Sequence, residues 1–124
     1  MFSYENLEVY RKAYQTNQKI YRLLKENKKI ISYAKNQLGR ASLSIMLNIA
    51  EGSAKFSDKD RRNFYITARG SVFECSSLIS FLYAEEEIET ELKEELYSCY
   101  EEISKMLFTM VRNLEKQSGE RKKT

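Results

Sequence analysis

The sequence predicts an all-α chain, an antiparallel up-down-up-down four-helix bundle. Three observations carry this: zero prolines and only four glycines in 124 residues, four apolar stripes at helical spacing, and no Asn-Gly or Asp-Gly hairpin signal. Proline breaks helix interiors and glycine weakens them, so their scarcity favours long helices joined by short turns. No stretch alternates cleanly with period two, as a half-buried strand would. The length suits one domain, and 42% apolar residues supply a single core.

The first helix is expected over about 6–27, with Leu7, Tyr10, Tyr14, Tyr21 and Leu24 as its stripe and Asn17 as an interruption. A second is expected over about 32–54, its stripe Ala34, Leu38, Ala41, Ile45 and Ile49 closing at Gly52. Ser57, followed by Asp58 and Asp60, reads as the N-cap of a third helix. That helix carries Phe64, Ala68, Ser71, Cys75, Leu78 and Leu82 at four-three spacing. Thr90 is expected to cap a fourth, with Leu92, Leu96, Cys99, Ile103, Met106, Met110 and Leu114 as its stripe. Stripes that repeat about every 3.5 residues pack as a bundle crossing near about 20°. The expected organisation is a bundle over 1–116 and a flexible basic tail over 117–124, where no apolar residue remains to dock.

A second, polar stripe runs beside the core on each of the two middle helices. Gln37, Arg40, Ser44, Asn48 and Glu51 form one; Asn63, Thr67, Gly70, Glu74 and Ser77 form the other. A hairpin turning near Ser57 would set Arg40 beside Glu74, Ser44 beside Gly70 and Asn48 beside Thr67. Gly70 would then permit close approach of the two backbones. One reading is structural, a ladder that fixes helix register with Arg40–Glu74 as an ion pair. The other makes Arg40, Asn48 and Glu51 a local binding constellation. A ladder along the whole hairpin suits the first better.

The inventory points away from catalysis. There is no histidine, the commonest general base and metal ligand. Cys75 and Cys99 lack the Cys-x-x-Cys spacing of a zinc site and fall on apolar faces, where free cysteine acts as a small hydrophobe. The four glycines are scattered, so no phosphate loop exists. The run Glu85-Glu86-Glu87 sits at a helix end, where a solvated acidic surface is the simple reading. No catalytic residue, cofactor, metal or small-molecule substrate is therefore expected. No apolar run approaches the about 18 residues of a membrane span, and a cytoplasmic, reduced setting is the economical expectation.

Charge is unevenly placed. Residues 28–56 carry five basic residues against Glu51, a balance of +4, whereas 84–115 carry ten acidic residues against three basic ones, a balance of −7. Residues 116–124 hold Lys116, Arg121, Lys122 and Lys123 against Glu120. Lys35, Arg40, Lys55, Arg61, Arg62 and Arg69, with the tail lysines, are the candidates for phosphate contact with nucleic acid. Ile66, Phe73, Tyr97 and Phe108 lie behind the core stripes and are candidates for a homo-oligomer interface. The alternative to nucleic-acid association is a homo-oligomeric protein-interaction scaffold, favoured by the modest net charge of +3.

The segment Gln37–Gly52 has the frame Q-L-x-R-A-x-x-S-I-x-x-N-I-A-E-G. It resembles the bacterial four-helix-bundle proteins encoded in intervening sequences of 23S ribosomal RNA genes. Arg62, Phe64, Ile66, Ala68, Gly70-Ser71 and Glu74 fit the same pattern, as does the opening Leu7-x-Val9-Tyr10 with Ala13. The accessory variability proteins of diversity-generating retroelements are similar to this family. Gly39 stands where a second arginine is common, and Met46 where proline is common. The resemblance implies a closed homo-oligomeric ring, commonly a pentamer, with basic surfaces that contact RNA, DNA or a nucleic-acid enzyme. It implies no enzymatic reaction.

Overall fold

The computed structural model describes residues 1–123, with side chains described as far as Gly119. A 3-10 turn at Ser3–Asn6 leads into four helices: α1 (Glu8–Glu26), α2 (Ser32–Ser53), α3 (Asp58–Ala84) and α4 (Thr90–Lys123). Each helix packs on its neighbours in the chain, and α1 closes the square against α4. The expected all-α bundle is what the chain forms, with helix ends within about two residues of those expected, the tail apart.

The caps explain the ends. Ser57 accepts the Asp60 N–H at 3.1 Å, with Asp58 and Asp60 in the first turn of α3. Thr90 is the first helical residue of α4 rather than its cap, and its hydroxyl lies 3.2 Å from Tyr83 Oη. At the end of α3, Glu87 N–H reaches back to Leu82 C=O at 2.9 Å, and Glu86 takes φ 62° to allow it. Asn27 stitches the two loops at that end of the bundle. Its Nδ2 donates to Glu87 O at 2.8 Å, while its Oδ1 accepts from Lys29 N and Ile30 N at 2.8 and 3.0 Å.

The core of α2 is the stripe expected, with Ser42 added beside it. Two other stripes are rotated. On α1 the buried residues are Val9, Ala13, Thr16 and Ile20, not the tyrosines, and Tyr14 and Tyr21 face outward. Asn17, the expected interruption, accepts a hydrogen bond from the buried Ser42 hydroxyl at 2.7 Å. On α3 the buried apolar set is Tyr65, Ala68, Val72, Cys75, Ile79 and Leu82, with Asp58 buried in the first turn, so Phe64, Ser71 and Leu78 are only half-buried. On α4, Leu96, Cys99, Tyr100, Ile103 and Leu107 are buried, with Met106, Met110 and Leu114 packed at the edge.

The expected division at 117 meets no break. Gln117-Ser118-Gly119 holds no proline, and one glycine costs only about 1 kcal/mol, so α4 runs on to Lys123. Thr124 and the side chains of Arg121, Lys122 and Lys123, which carry the expected tail charge, lie outside the described residues. Among the described residues no helix is long and apolar enough to cross a membrane.

Candidate interaction surfaces

The polar seam between α2 and α3 forms, but not in the expected pairing: Ser44 is shifted by one residue on α3, and Glu74 meets a residue three before Arg40 on α2. Ser44 Oγ meets Ser71 Oγ at 2.8 Å, and Asn48 Nδ2 buttresses Ser44 through its carbonyl at 2.8 Å and its hydroxyl at 3.0 Å. Gln37 Nε2 donates to Glu74 Oε2 at 2.6 Å. Glu74 therefore takes Gln37, and among the described residues no ion pair joins it to the exposed Arg40. The close approach sits at Gly52: a Cβ there would lie 2.8 Å from Tyr65 Cε1 and 2.9 Å from Phe64 Cβ. A Cβ on Gly70 would meet nothing within 4 Å, because Gly70 faces outward. Thr67 bonds its own helix at Asn63 O, 3.0 Å away, and Glu51 is exposed. With the Asn48 amide held by Ser44 and Arg40 and Glu51 turned out, the cross-helix bonds of the seam among the described residues are Ser44–Ser71 and Gln37–Glu74.

The arginines of α3 do not present one free face. Arg61 Nε donates to Lys55 O at 2.6 Å, tying down the α2–α3 loop. Arg62 Nη1 lies 3.5 Å from Glu115 Oε1. Arg69 Nε donates to Ser104 O at 3.3 Å, and its guanidinium sits 4.8 Å from the Phe73 ring and 5.4 Å from the Phe108 ring. Lys55 is 5.1 Å over Phe64, and Lys35 is half-buried on α2. The structure thus scatters Lys35, Arg40, Lys55, Arg61, Arg62 and Arg69 over two helices and a loop.

Of the expected interface residues, Phe73 and Phe108 meet through Arg69, and Phe73 and Tyr97 line one groove. Ile66, Phe73 and Phe108 are 47, 54 and 49% exposed, on the outward side of α3 and α4. Tyr97 is half-buried beneath the Lys93 ammonium, 4.8 Å from its ring. A shallow groove of about 370 Å³ opens there, lined by Arg69, Phe73, Ser76, Tyr97, Ser104 and Lys105. Beneath it, burial pushes the Cys75 thiol up to about 12. Burial, and then the neighbouring Cys75, raises Tyr100 well above its ordinary value. A thiol held protonated in this way is no nucleophile at neutral pH.

Sequence reasoning missed the outward face of α1. Ring contacts run from Phe2 to Tyr4 at 5.7 Å, Tyr4 to Tyr10 at 4.6 Å and Tyr10 to Tyr14 at 6.1 Å. Tyr21 continues the line under Lys25 Nζ, 5.3 Å from its ring. On the side facing α4, Lys12 pairs with Glu102 at 2.8 Å and Lys19 with Glu95 at 2.6 Å. Those hydrogen bonds raise the pKa of both lysines. The available signal was the seven-residue step from Tyr14 to Tyr21, continued by Lys25 on the same face; a lysine in register argues for solvent.

Comparison with known proteins agrees with this architecture. The family model for 23S rRNA-intervening sequence proteins matches residues 5–109. One similar solved structure is described as a protein with unknown function of the S23 ribosomal protein family from Bacteroides thetaiotaomicron. It is 25% identical, with a TM-score of 0.79, and the match covers 83% of this chain and 97% of that one. A search of curated proteins gave no match.

Proposed function

This chain belongs to the 23S rRNA-intervening sequence protein family, and on that premise we propose that it is a non-enzymatic, self-assembling interaction protein whose copies pack through the outward face of α3 and α4. The observation that carries the reading is that face: Phe73 and Phe108, each about half exposed, flank the Arg69 guanidinium, and Ile66 is exposed on the same helix as Phe73. Contiguous apolar surface on a small bundle is unfavourable in water and marks a contact site. A second copy also offers complementary charge, since residues 28–56 balance at +4 and 84–115 at −7. Contact of this face with a different element of the next copy closes into a ring where the rotation between copies permits, the pentamer of the resemblance being one such closure. Cytoplasmic residence belongs to the same reading, since both cysteines are free and buried.

The phosphate-binding role expected of Arg61, Arg62 and Arg69 has less support, because each is engaged inside the protomer. Sedimentation at micromolar concentration tests self-assembly. The parent should exceed 14.7 kDa, and the variant Ile66→Ser/Phe73→Ser/Phe108→Ser should fall to the monomer with helicity kept. A monomeric parent overturns the proposal.

A further inference from the structure

We propose that the outward face of α1 binds single-stranded polynucleotide, with bases stacked on Tyr14 and Tyr21 and phosphates held by Arg22, Lys25 and their basic neighbours. The proposal does not rest on self-assembly, since it uses a different helix.

The aromatic half of the argument is placement. Val9, Ala13, Thr16 and Ile20 fill the core face of α1, which turns Tyr14 and Tyr21 outward at 47 and 62% exposure. A shallow concavity of about 560 Å³ runs between them, lined by Tyr14, Asn17, Gln18, Tyr21, Arg22 and Lys25, with Glu26 at its end. Seven residues separate the two tyrosines, about 10 Å at about 1.5 Å per residue. Phe2, Tyr4 and Tyr10 extend the line of rings beyond Tyr14.

The other half is charge. From Tyr10 to Lys29 the chain holds seven cations (Arg11, Lys12, Lys19, Arg22, Lys25, Lys28, Lys29) and one carboxylate, Glu26. Lys12 and Lys19 are neutralised by Glu102 and Glu95 on the side facing α4. Five cations remain. Arg11 donates only to the carbonyls of Glu5 and Asn6, both at 3.2 Å, so its charge is not cancelled. Lys25 lies against the Tyr21 ring and keeps its ammonium for an anion. Among the described residues Arg22 makes no side-chain hydrogen bond or ion pair.

Exposed rings flanked by excess positive charge fit a polyanion that carries flat aromatic groups. Every base has a π-face, so stacking on tyrosine is tolerant of sequence. The bases must be unstacked to reach the rings, which selects single strands over duplexes. The rings and cations read base faces and phosphates, both common to RNA and DNA, so either sugar is accepted.

Fluorescence anisotropy of labelled 15-mers of oligo-U and oligo-dT, and of a 15-bp duplex, tests this on the full chain at about 50 mM salt. Both single strands should bind, at least about tenfold tighter than the duplex, and should quench the intrinsic tyrosine emission; the chain has no tryptophan to mask it. Tyr14→Ala/Tyr21→Ala should weaken binding at least about tenfold. Arg22→Gln/Lys25→Gln should make the log–log salt slope less negative by about 1.4, about 0.7 for each lost phosphate contact. Ile66→Ser/Phe73→Ser/Phe108→Ser should retain affinity per protomer, which separates this result from failure of self-assembly. No binding by the parent, duplex binding equal to single-strand binding, or a tyrosine variant that changes sedimentation while leaving affinity intact would each overturn the assignment. The last outcome would make the face a self-contact.

Discussion

The outward faces of α1 and α3 carry the same ingredients, aromatic rings and cations, and deploy them differently. On α3 the guanidinium of Arg69 lies between Phe73 and Phe108 and donates to the Ser104 carbonyl, while Arg62 faces Glu115. On α1, Tyr14 and Tyr21 are 47 and 62% exposed, with only Tyr10 and Lys25 against their rings, and Arg22 has no protein acceptor among the described residues. Both helices look basic in sequence. What separates them is whether a neighbouring helix offers an acceptor within reach. A cation that has found its acceptor inside the fold holds helices together; one that has not remains available to a ligand.

The largest effect that probes this comparison concerns the register of α1. Ile20 is 1% exposed and Tyr21, its neighbour in sequence, is 62% exposed. Ile20→Ala should cost about 2–5 kcal/mol, and Tyr21→Ala should stay within about 0.5 kcal/mol, both by urea titration. Equal costs would restore the tyrosines to the core and remove the proposed binding face.

Alkaline unfolding probes the interior beneath the α3–α4 face. The Cys75 thiol, ordinarily at 9.0, is held up to about 12 when folded. The unfolded chain therefore releases that proton first, and the stability this group contributes is complete below pH 9.0. It is lost as pH climbs towards the folded value, by about tenfold in the folded-to-unfolded ratio per pH unit. Cys75→Ala should flatten this part of the profile. Tyr100, also raised, adds its own loss at higher pH.

Arg69→Ala removes one hydrogen bond and two ring contacts, and should cost about 1–3 kcal/mol. Arg22→Ala should cost nothing measurable in the same melt. Comparable losses would erase the distinction between the two faces. The smallest effect is at the outward Gly70. Gly70→Ala should stabilise the protomer by about 0.5–1 kcal/mol, since the added Cβ meets open space on a helix. If a second copy packs closely over that position, sedimentation will instead report weaker assembly alongside the higher melting point. Gly52→Ala should act in the opposite sense, because Tyr65 and Phe64 occupy the space.

The fold was legible because it needs only periodicity and the scarcity of helix breakers. The core of α2 was read residue by residue, since its inward stripe is apolar and one flank is the polar stripe of Gln37, Arg40, Ser44, Asn48 and Glu51. On α3 two heptad-spaced triples compete, Phe64/Ser71/Leu78 and Tyr65/Val72/Ile79, and they differ by a single rotation step. The structure buries the second, with Tyr65 against Gly52. Ser44 then lies opposite Ser71, one residue from the expected Gly70. On α1 the tyrosines imitated a core stripe because a phenol counts as apolar, while the true core includes Ala13 and Thr16, which carry little apolar signal. The interface candidates on α3 and α4 were legible as apolar residues behind a core stripe. The fate of the arginines was not: Arg61 and Arg69 bond backbone carbonyls, which every residue possesses, and only Arg62 meets a carboxylate, that of Glu115.

The seam that closes the square has a kinetic consequence. Among the four long helices, three of the contacts join consecutive elements, and α1 against α4 brings together the most distant parts of the chain, through a thin contact strengthened by Lys12–Glu102 and Lys19–Glu95. Loop closure of that length is entropically costly, so the hairpins of α2, α3 and α4 can form before it does. The same thinness makes α1 the helix that opens first, and its amides should exchange with deuterium ahead of those in α3 under native conditions.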